Sequence, residues 1–273
     1  DWRGDDRDFT KLGRPRMFFA VTAGSMDSMV NHYTAAKRLR SDDAYTPEGR
    51  AGARPDYCTQ TYCKILKRLY PDVPIVIGGI EASMRRLTHY DYWSDSVKPS
   101  ILVDSQADLL IYGMGERPIR ALADAVHGQL VEYGKVVAMP HDIAQTAYWD
   151  KQWCKEEEEE DYVLLHGYED VVKDKVKYAE NFKKIEIESN KTISTKLIEP
   201  IGSGAIVVNS TGEGMRDEEL DGVYALPFQY FPHPKYKGKR IPAYEMIRFS
   251  VCMHRGCFGG CSFCTISAHQ GKQ

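Results

Sequence analysis

The chain has 273 residues, 42% hydrophobic and 27% charged, and 36 basic against 39 acidic residues leave a formal net charge of −3. This is globular composition with room for one large or two modest domains, and it excludes disorder, collagen and coiled coil as global descriptions. The near-neutral charge does not indicate nucleic acid as a partner, and no apolar run reaches the roughly 18 residues that a membrane span needs.

The first 135 residues predict an α/β domain. Three short β-favouring runs end at a glycine turn: Met17–Ala23, 73–77 and 109–112. Helical stretches are predicted at about 26–40, 57–69 and 117–126. Strand, glycine turn and helix in repetition is the pattern of a parallel sheet covered by helices. We expect the opening strand of this domain to be missing.

Residues 136–240 predict a helical and irregular connecting segment. Five consecutive glutamates at 156–160 repel one another and indicate a solvated stretch, and 162–190 predicts an exposed helix. A strand is predicted at 205–208. Residues 241–273 then predict the start of a second domain, because the β-favouring run 246–251 leads directly into a cysteine cluster.

The cysteine cluster is the most specific chemical signal in the sequence. There are seven cysteines, and Cys257, Cys261 and Cys264 follow a Cys-x3-Cys-x2-Cys spacing. Three soft thiolates on one short loop suit an iron–sulfur cluster or zinc, and they favour a reducing cytoplasmic location over a secreted disulfide scaffold. Two alternatives remain: a structural zinc site with Cys252 as fourth ligand, and a ferredoxin-like electron carrier, which would need a fourth Cys-Pro cysteine that is absent here.

This loop resembles that of the radical S-adenosylmethionine (radical SAM) superfamily. The resemblance implies that Cys257, Cys261 and Cys264 hold a [4Fe–4S] cluster, whose fourth iron binds S-adenosylmethionine. It implies that Phe263 and Gly260 contact this cofactor. Reductive cleavage would give a 5′-deoxyadenosyl radical that takes a hydrogen atom from an unknown substrate. A reductant protein such as a flavodoxin or ferredoxin is the implied partner.

The whole chain is similar to one narrower family, the YgiQ-like radical SAM proteins. The segments that carry this similarity are 24–34, 42–47, 78–83, 89–95, 102–105, 115–118, 226–227, 233–234, 241–244, 255–264 and 269–271. The resemblance implies a Rossmann-like, cobalamin-binding-like sheet domain followed by a partial (β/α) barrel. This chain would then be a fragment that carries only the first barrel strand, and alone it would be inactive. Residues 209–214 depart from the family pattern, which puts the role of that loop in doubt.

Other segments leave alternatives open. The aromatic and acidic segment His89–Asp95 lines a pocket or packs against the sheet. Glu81 and Glu116 follow predicted glycine turns, where they contact a ligand or cap a helix. Gly202-Ser-Gly204 precedes its strand, so a dinucleotide fingerprint is disfavoured. The basic loop 235–240 favours simple exposure over phosphate binding. A second hypothesis, from a different class of function, is that the α/β domain is a ligand-binding or scaffold module that acts without radical chemistry.

Overall fold

The computed structural model describes residues 2–154, 161–253, 255–257, 259, 261, 264, 266 and 269. The helices found there are, in chain order, α1 (Arg7–Thr10), α2 (Ser28–His32), α3 (Cys58–Leu69), α4 (Gly79–Met84), α5 (Ile101–Ser105), α6 (Glu116–Tyr133), α7 (Tyr168–Lys173), α8 (Lys175–Ser189), α9 (Asp217–Tyr224) and α10 (Pro242–Ile247). The strands are β1 (Phe19–Thr22), β2 (Ile75–Gly78), β3 (His89–Asp91), β4 (Ser96–Lys98), β5 (Leu109–Ile111), β6 (Thr146–Asp150), β7 (Tyr162–Leu164), β8 (Lys196–Ile201) and β9 (Gly204–Val208).

A seven-stranded mixed sheet with the order β1-β2-β5-β6-β9-β8-β7 forms the centre of the molecule. Strands β1, β2 and β5 are parallel, as the first third of the sequence predicts. Strands β6, β9 and β8 continue the sheet in antiparallel pairs, and β7 closes it parallel to β8. The α/β class is therefore confirmed, with a sheet that is only partly parallel.

Both faces of the sheet are covered by apolar side chains. Side chains alternate across a strand, so Ile75 and Ile77 of β2 enter the larger hydrophobic cluster while Val76 enters the other. Leu122 and Val126 of α6 complete that second cluster. Burial on both faces explains why β2 and β5 have continuous apolar sequences rather than alternating ones.

The structure corrects the prediction that residues 136–240 form a helical and irregular connecting segment. It contributes β6, β7, β8 and β9 to the same sheet as the first 135 residues, and β6 pairs directly with β5. The prediction missed three of these strands because β6 and β7 form by pairing with strands that are distant in sequence. The periodicity of β8 is interrupted by Glu199 and Pro200. The residues at 156–160 lie outside the described part of the chain.

The strand expected at residues 246–251 is also wrong in this structure. Helix α10 occupies Pro242–Ile247, and Pro242 stands at its first position, where proline favours a helix. Met246, Ile247, Phe249 and Val251 are exposed. A β-strand is stabilised by pairing with a neighbour, and this segment pairs with none of the strands in the described residues. Its apolar composition alone therefore does not make it a strand.

Two smaller differences concern helices. The helix expected at 26–40 ends at His32, after which the chain turns at Lys37 with a positive φ of 58°. The helix expected over 162–190 is divided into β7, α7 and α8. Among the described residues, no helix has the length and apolar character that would let it cross a membrane.

Candidate functional site

A crevice of about 300 Å³ lies where the carboxyl ends of β1, β2 and β5 meet. We call it the carboxyl-edge crevice; Gly78, Gly79, Gly113 and Gly115 are among its lining residues. Gly79 has a φ of +82°, and an added Cβ would clash with the hydroxyl oxygen of Thr22. Glycine is thus required where β2 turns into α4. In open α/β sheets, ligands bind at this edge.

The cysteine loop, residues 255–264, brings two thiols to one glycine. A Cβ added to Gly259 would lie 3.3 Å from Cys257 Sγ and 3.6 Å from Cys261 Sγ. The Gly259 amide donates to Cys257 Sγ over 3.4 Å, and the Cys264 amide donates to the Cys261 carbonyl over 3.0 Å. Both sulfur atoms therefore border the space that a side chain at residue 259 would occupy.

The donor chemistry of this loop fits an iron–sulfur cluster, because three thiols lie within eight residues. In the described part of the chain, however, no group of three His, Cys, Asp or Glu side chains is positioned to hold a metal ion. Cys264 is half-buried and Cys261 is exposed. All seven cysteines belong to the described residues, and none forms a disulfide. The two other predicted cofactor residues, Phe263 and Gly260, lie outside them.

Both ends of the cysteine loop contact the sheet domain. At its start, the Arg255 guanidinium forms an ion pair with Glu116 at the beginning of α6, and its Nε donates to the Tyr224 hydroxyl over 3.3 Å. Beyond the loop, the carbonyl of His269 would lie 3.0 Å from a Cβ added to Gly113. Glu116 therefore binds the start of the cysteine loop.

Residues of the segments 24–34, 42–47 and 78–83, which carry the family resemblance, form a buried polar network beside α4. Glu81 is 2% exposed and accepts a hydrogen bond from the Ser28 hydroxyl at 2.8 Å and from the Thr59 amide at 2.9 Å. Thr59 is in the first turn of α3, so Glu81 caps that helix from another element. Asn31 likewise donates to Asp43 over 2.6 Å, which joins two segments that are distant in sequence.

The sequence analysis did not single out His32, although the structure gives it unusual surroundings. Its Nδ1 lies 2.7 Å from Asp56 Oδ1, and the Tyr33 hydroxyl donates to the other carboxylate oxygen over 2.9 Å. Its Nε2 is buried and has no hydrogen-bond partner among the described residues. The sequence feature that could have indicated these contacts is the adjacent pair His32-Tyr33 within the segment 24–34.

The segment His89–Asp95 packs against neighbouring loops. Asp91 is 3% exposed and accepts hydrogen bonds from the Tyr57 hydroxyl at 2.7 Å and from Ser94 Oγ at 2.5 Å. Burial lowers the pKa of His89 to about 4, so the imidazole is neutral at pH 7. These contacts hold the β3–β4 hairpin against α3, and they account for the polar residues of the segment without a ligand.

The glycines at 202 and 204 have different structural roles: Gly202 adopts a positive φ of 58° in the turn, and Gly204 packs closely against the neighbouring strand. They lie at the turn between β8 and β9, and a Cβ on Gly204 would clash with the Asp150 carbonyl of the neighbouring strand. The basic loop is exposed, and Arg240 forms an ion pair with Glu245 at 2.7 Å. Neither feature has the geometry of a nucleotide site.

Comparisons with known proteins identify the family of the chain. The family model described as Radical SAM N-terminal matches residues 1–250. UPF0313 proteins match the whole chain: 56% identity with one of Bacteroides thetaiotaomicron, 47% with one of Geobacter sulfurreducens and 42% with YgiQ of Escherichia coli. The chain spans 45%, 44% and 43% of these relatives, less than half of each. No solved structure matches it. The chain belongs to the Radical SAM N-terminal family.

Proposed function

We propose that the full-length protein is a radical SAM enzyme and that Cys257, Cys261 and Cys264 are its cluster ligands. The observation that supports this most is the Cys-x3-Cys-x2-Cys loop, with two of its thiols at Gly259, in a chain of the Radical SAM N-terminal family. When bound, a [4Fe–4S] cluster with S-adenosylmethionine supplies a 5′-deoxyadenosyl radical that abstracts a hydrogen atom from a substrate.

The residues of this chain prepare the site for that chemistry. The Arg255–Glu116 ion pair fixes the start of the cysteine loop to α6, and the Arg255 Cζ also lies over the Tyr224 ring, 5.2 Å from its centroid. Gly259 keeps the space between the thiols free of a side chain. Phe263 and Gly260 are proposed to contact S-adenosylmethionine, on the strength of the sequence alone.

The remaining features of the proposal concern the whole protein. Residues 241–273 are proposed to begin a (β/α) barrel, the domain that would cover the exposed apolar side chains of 246–251. A flavodoxin or ferredoxin is the proposed electron donor, and the cytoplasm the proposed location. Reaction and substrate are not assigned, because no catalytic side chain is identified.

Anaerobic reconstitution of the full-length protein tests the ligand assignment. We expect about four irons per chain, since a [4Fe–4S] cluster has four. Replacement of Cys257, Cys261 or Cys264 by serine should abolish the visible absorbance of the cluster, and reduction with S-adenosylmethionine should release 5′-deoxyadenosine only from the unmodified protein.

Two cysteines provide matched controls. Cys154→Ser changes an exposed thiol that is distant in sequence from the cysteine loop, and this variant should keep the full iron content. Cys252→Ser separates the proposal from the zinc alternative, in which Cys252 is a fourth ligand. One bound zinc without iron, lost in both Cys252→Ser and Cys257→Ser, would replace the radical SAM proposal by a structural zinc site.

A ligand-binding role for the α/β domain is the second candidate, and the carboxyl-edge crevice is the observation that favours it. Nucleotides and cobalamins, titrated against the protein in the absence of reductant, test this candidate directly. Saturable binding that is lost when Gly78 is replaced by valine supports it, because the added side chain would enter the crevice. Absence of binding at high micromolar ligand contradicts it.

A further inference from the structure

A groove of about 330 Å³ lies on the segment 231–248, apart from the proposed cluster ligands and from the carboxyl-edge crevice. We call it the basic groove. Its lining comes from the loop 231–241, from α10 and from Arg248 at the end of that helix. The sequence indicated an exposed basic loop here, and the structure adds a concave surface formed by that loop and the helix after it.

The basic groove concentrates positive charge. Segment 231–248 contains five Lys or Arg residues and one acidic residue, a local formal charge of +4 in a chain of −3. The acidic residue, Glu245, is paired with Arg240 at 2.7 Å. Glu48, which precedes the segment, accepts the Arg240 amide at 2.7 Å. Both nearby carboxylates are therefore engaged at Arg240, and the other cations give the groove its charge.

Three cations that line the groove are available to a ligand. Lys237, Lys239 and Arg248 are exposed. Across the part of the chain that the structure describes, none of the three forms an ion pair, and the Arg248 Cζ lies 4.7 Å from the centroid of the Phe249 ring. Exposed cations grouped in this way attract a polyanion, whose bound counterions are released when the cations replace them.

Aromatic rings alternate with these cations. Phe231 is 78% exposed, and Tyr236 and Tyr244 also line the groove. Tyr236 stands between two lysines in sequence, and the Lys235 Nζ lies 5.0 Å from the centroid of its ring. Proteins that bind single-stranded nucleic acid combine a positively charged groove for the phosphates with aromatic side chains on which bases stack.

The shape and the hydroxyl groups select among polyanions. A bilayer surface is flat on this scale and does not enter a groove, whereas a single strand can lie along one. The Tyr236 and Tyr244 hydroxyls form no hydrogen bond within the described residues. The ribose 2′-hydroxyl of RNA, which DNA lacks, offers such hydroxyls a partner.

We propose that the basic groove binds a single-stranded segment of RNA. Lys237, Lys239 and Arg248 contact its phosphates, and bases stack on Phe231 and Tyr236. Because the groove is open to solvent, it holds part of a strand and does not enclose a mononucleotide. Binding needs neither the cluster nor S-adenosylmethionine, so this proposal and the radical SAM proposal fail or succeed separately.

Fluorescence anisotropy of a labelled oligouridylate of about twelve nucleotides, titrated with the full-length protein, tests the proposal. Saturable binding is expected without reductant or S-adenosylmethionine. With three phosphate contacts, the slope of log K against log salt should be about −2, so affinity should fall roughly 20-fold from about 50 to about 200 mM salt. The matching deoxyribose oligonucleotide should bind at least threefold more weakly, because it lacks the 2′-hydroxyls.

A pair of lysine substitutions tests the phosphate contacts. Lys237→Gln combined with Lys239→Gln should weaken binding at least tenfold at low salt and reduce the slope to about −0.7. Lys175→Gln combined with Lys183→Gln is the matched control, since both lysines are exposed on α8 and the change of charge is the same. This control should keep the affinity and the slope.

A third substitution tests the stacking contact. Phe231→Leu keeps an apolar side chain but removes the ring, and it should weaken binding at least fivefold at every salt concentration. Tyr133→Leu, at a 56% exposed aromatic residue of α6, is its control and should leave RNA binding unchanged.

Several outcomes would overturn the proposal. They are binding that salt does not weaken, equal losses in the two lysine pairs, unchanged affinity in Phe231→Leu, and DNA binding as tight as RNA binding. Displacement of the RNA by polyglutamate at equal charge would show general attraction to polyanions. Co-sedimentation with phosphatidylserine vesicles, lost in the Lys237 and Lys239 variant and found without RNA binding, would assign the surface to a membrane.

Discussion

The residue types most constrained by this structure are glycines at positions where a larger side chain has no room. Gly204, Gly79 and Gly259 each lie against another atom group: a strand carbonyl, a threonine hydroxyl and two thiols. The sequence marked 202–204 as glycine-rich and disfavoured a nucleotide fingerprint from its position before the strand. Only the structure gives the reason, which is the close approach of β6 to β9.

Gly204→Ala should therefore destabilise the protein. The new methyl group would clash with the Asp150 carbonyl and lie 2.8 Å from Lys151 Cα, so strands β6 and β9 must separate. Overpacking of this kind costs about 1–3 kcal/mol. The urea dependence of unfolding measures it.

Gly222→Ala is the control for that substitution. Gly222 lies in α9, and an added Cβ would meet no atom within 4 Å, so alanine should stabilise the helix by up to about 1 kcal/mol. If both alanine variants change the free energy of unfolding by the same amount, the close approach at Gly204 does not limit stability.

At the scale of elements, β8 contains the most unusual buried group of the sheet. Glu199 is 1% exposed, and its carboxylate accepts the Thr88 amide over 2.8 Å. Burial raises its pKa to about 7 from a reference of 4.5. Since the folded pKa lies above the unfolded one, the stabilisation from this group is complete below about pH 4.5 and is lost as the pH rises through about 7.

Glu199→Gln should remove this pH dependence. Glutamine can still accept the Thr88 amide, but it does not ionise. At 1.36 kcal/mol per unit, the unfolding free energy of the variant should fall by about 3 kcal/mol less than that of the unmodified protein between pH 4.5 and 8. Chemical unfolding at several pH values measures the difference.

An exposed glutamate serves as control for the strand residue. Glu218→Gln, on the exposed face of α9, should leave the pH profile of stability unchanged. Parallel pH profiles for Glu199→Gln and the unmodified protein would show that Glu199 does not ionise differently on folding.

The elements that could be predicted are those whose own residues form a clear local sequence pattern. β1, β2 and β5 were located as apolar runs that end at a glycine turn, α3 by apolar residues on one of its sides and α6 by Pro118 in its first turn. β6 and β7 depend on neighbours that are distant in sequence, and α10 occupies a segment with strand-like composition. Composition cannot tell which partner a segment will find.

At the scale of the whole molecule, the sheet domain contacts the chain at the start of the cysteine loop and beyond its end. The first contact is the ion pair between Arg255 and Glu116 of α6, and the second is the close approach of the His269 carbonyl to Gly113. The sequence predicted the cysteines from their spacing alone. It did not predict this attachment, because Glu116 and Arg255 are 139 positions apart in the sequence, about half of the chain.

Glu116→Gln should loosen the cysteine loop. The ion pair is partly exposed, so its loss is worth about 1 kcal/mol or less, which corresponds to an increase of up to roughly fivefold in amide hydrogen exchange. Exchange of peptides that cover residues 252–269, followed by mass spectrometry, measures this effect in the full-length protein.

Glu132→Gln, at the other end of α6, is the control for the loop variant and should not change exchange in those peptides. Equal exchange in both variants would mean that the ion pair does not restrain the loop.

Gly113 belongs to the walls of both the carboxyl-edge crevice and a second, more enclosed cavity of about 150 Å³ that Tyr112 and Ile185 also line. The partition between the two spaces is therefore a single backbone unit at this point, with no side chain to absorb a displacement. For protein engineering, this means that neither space can be reshaped at residue 113 without altering the other. Independent redesign has to start from the far walls, Ala20 for the crevice and Ile185 for the cavity.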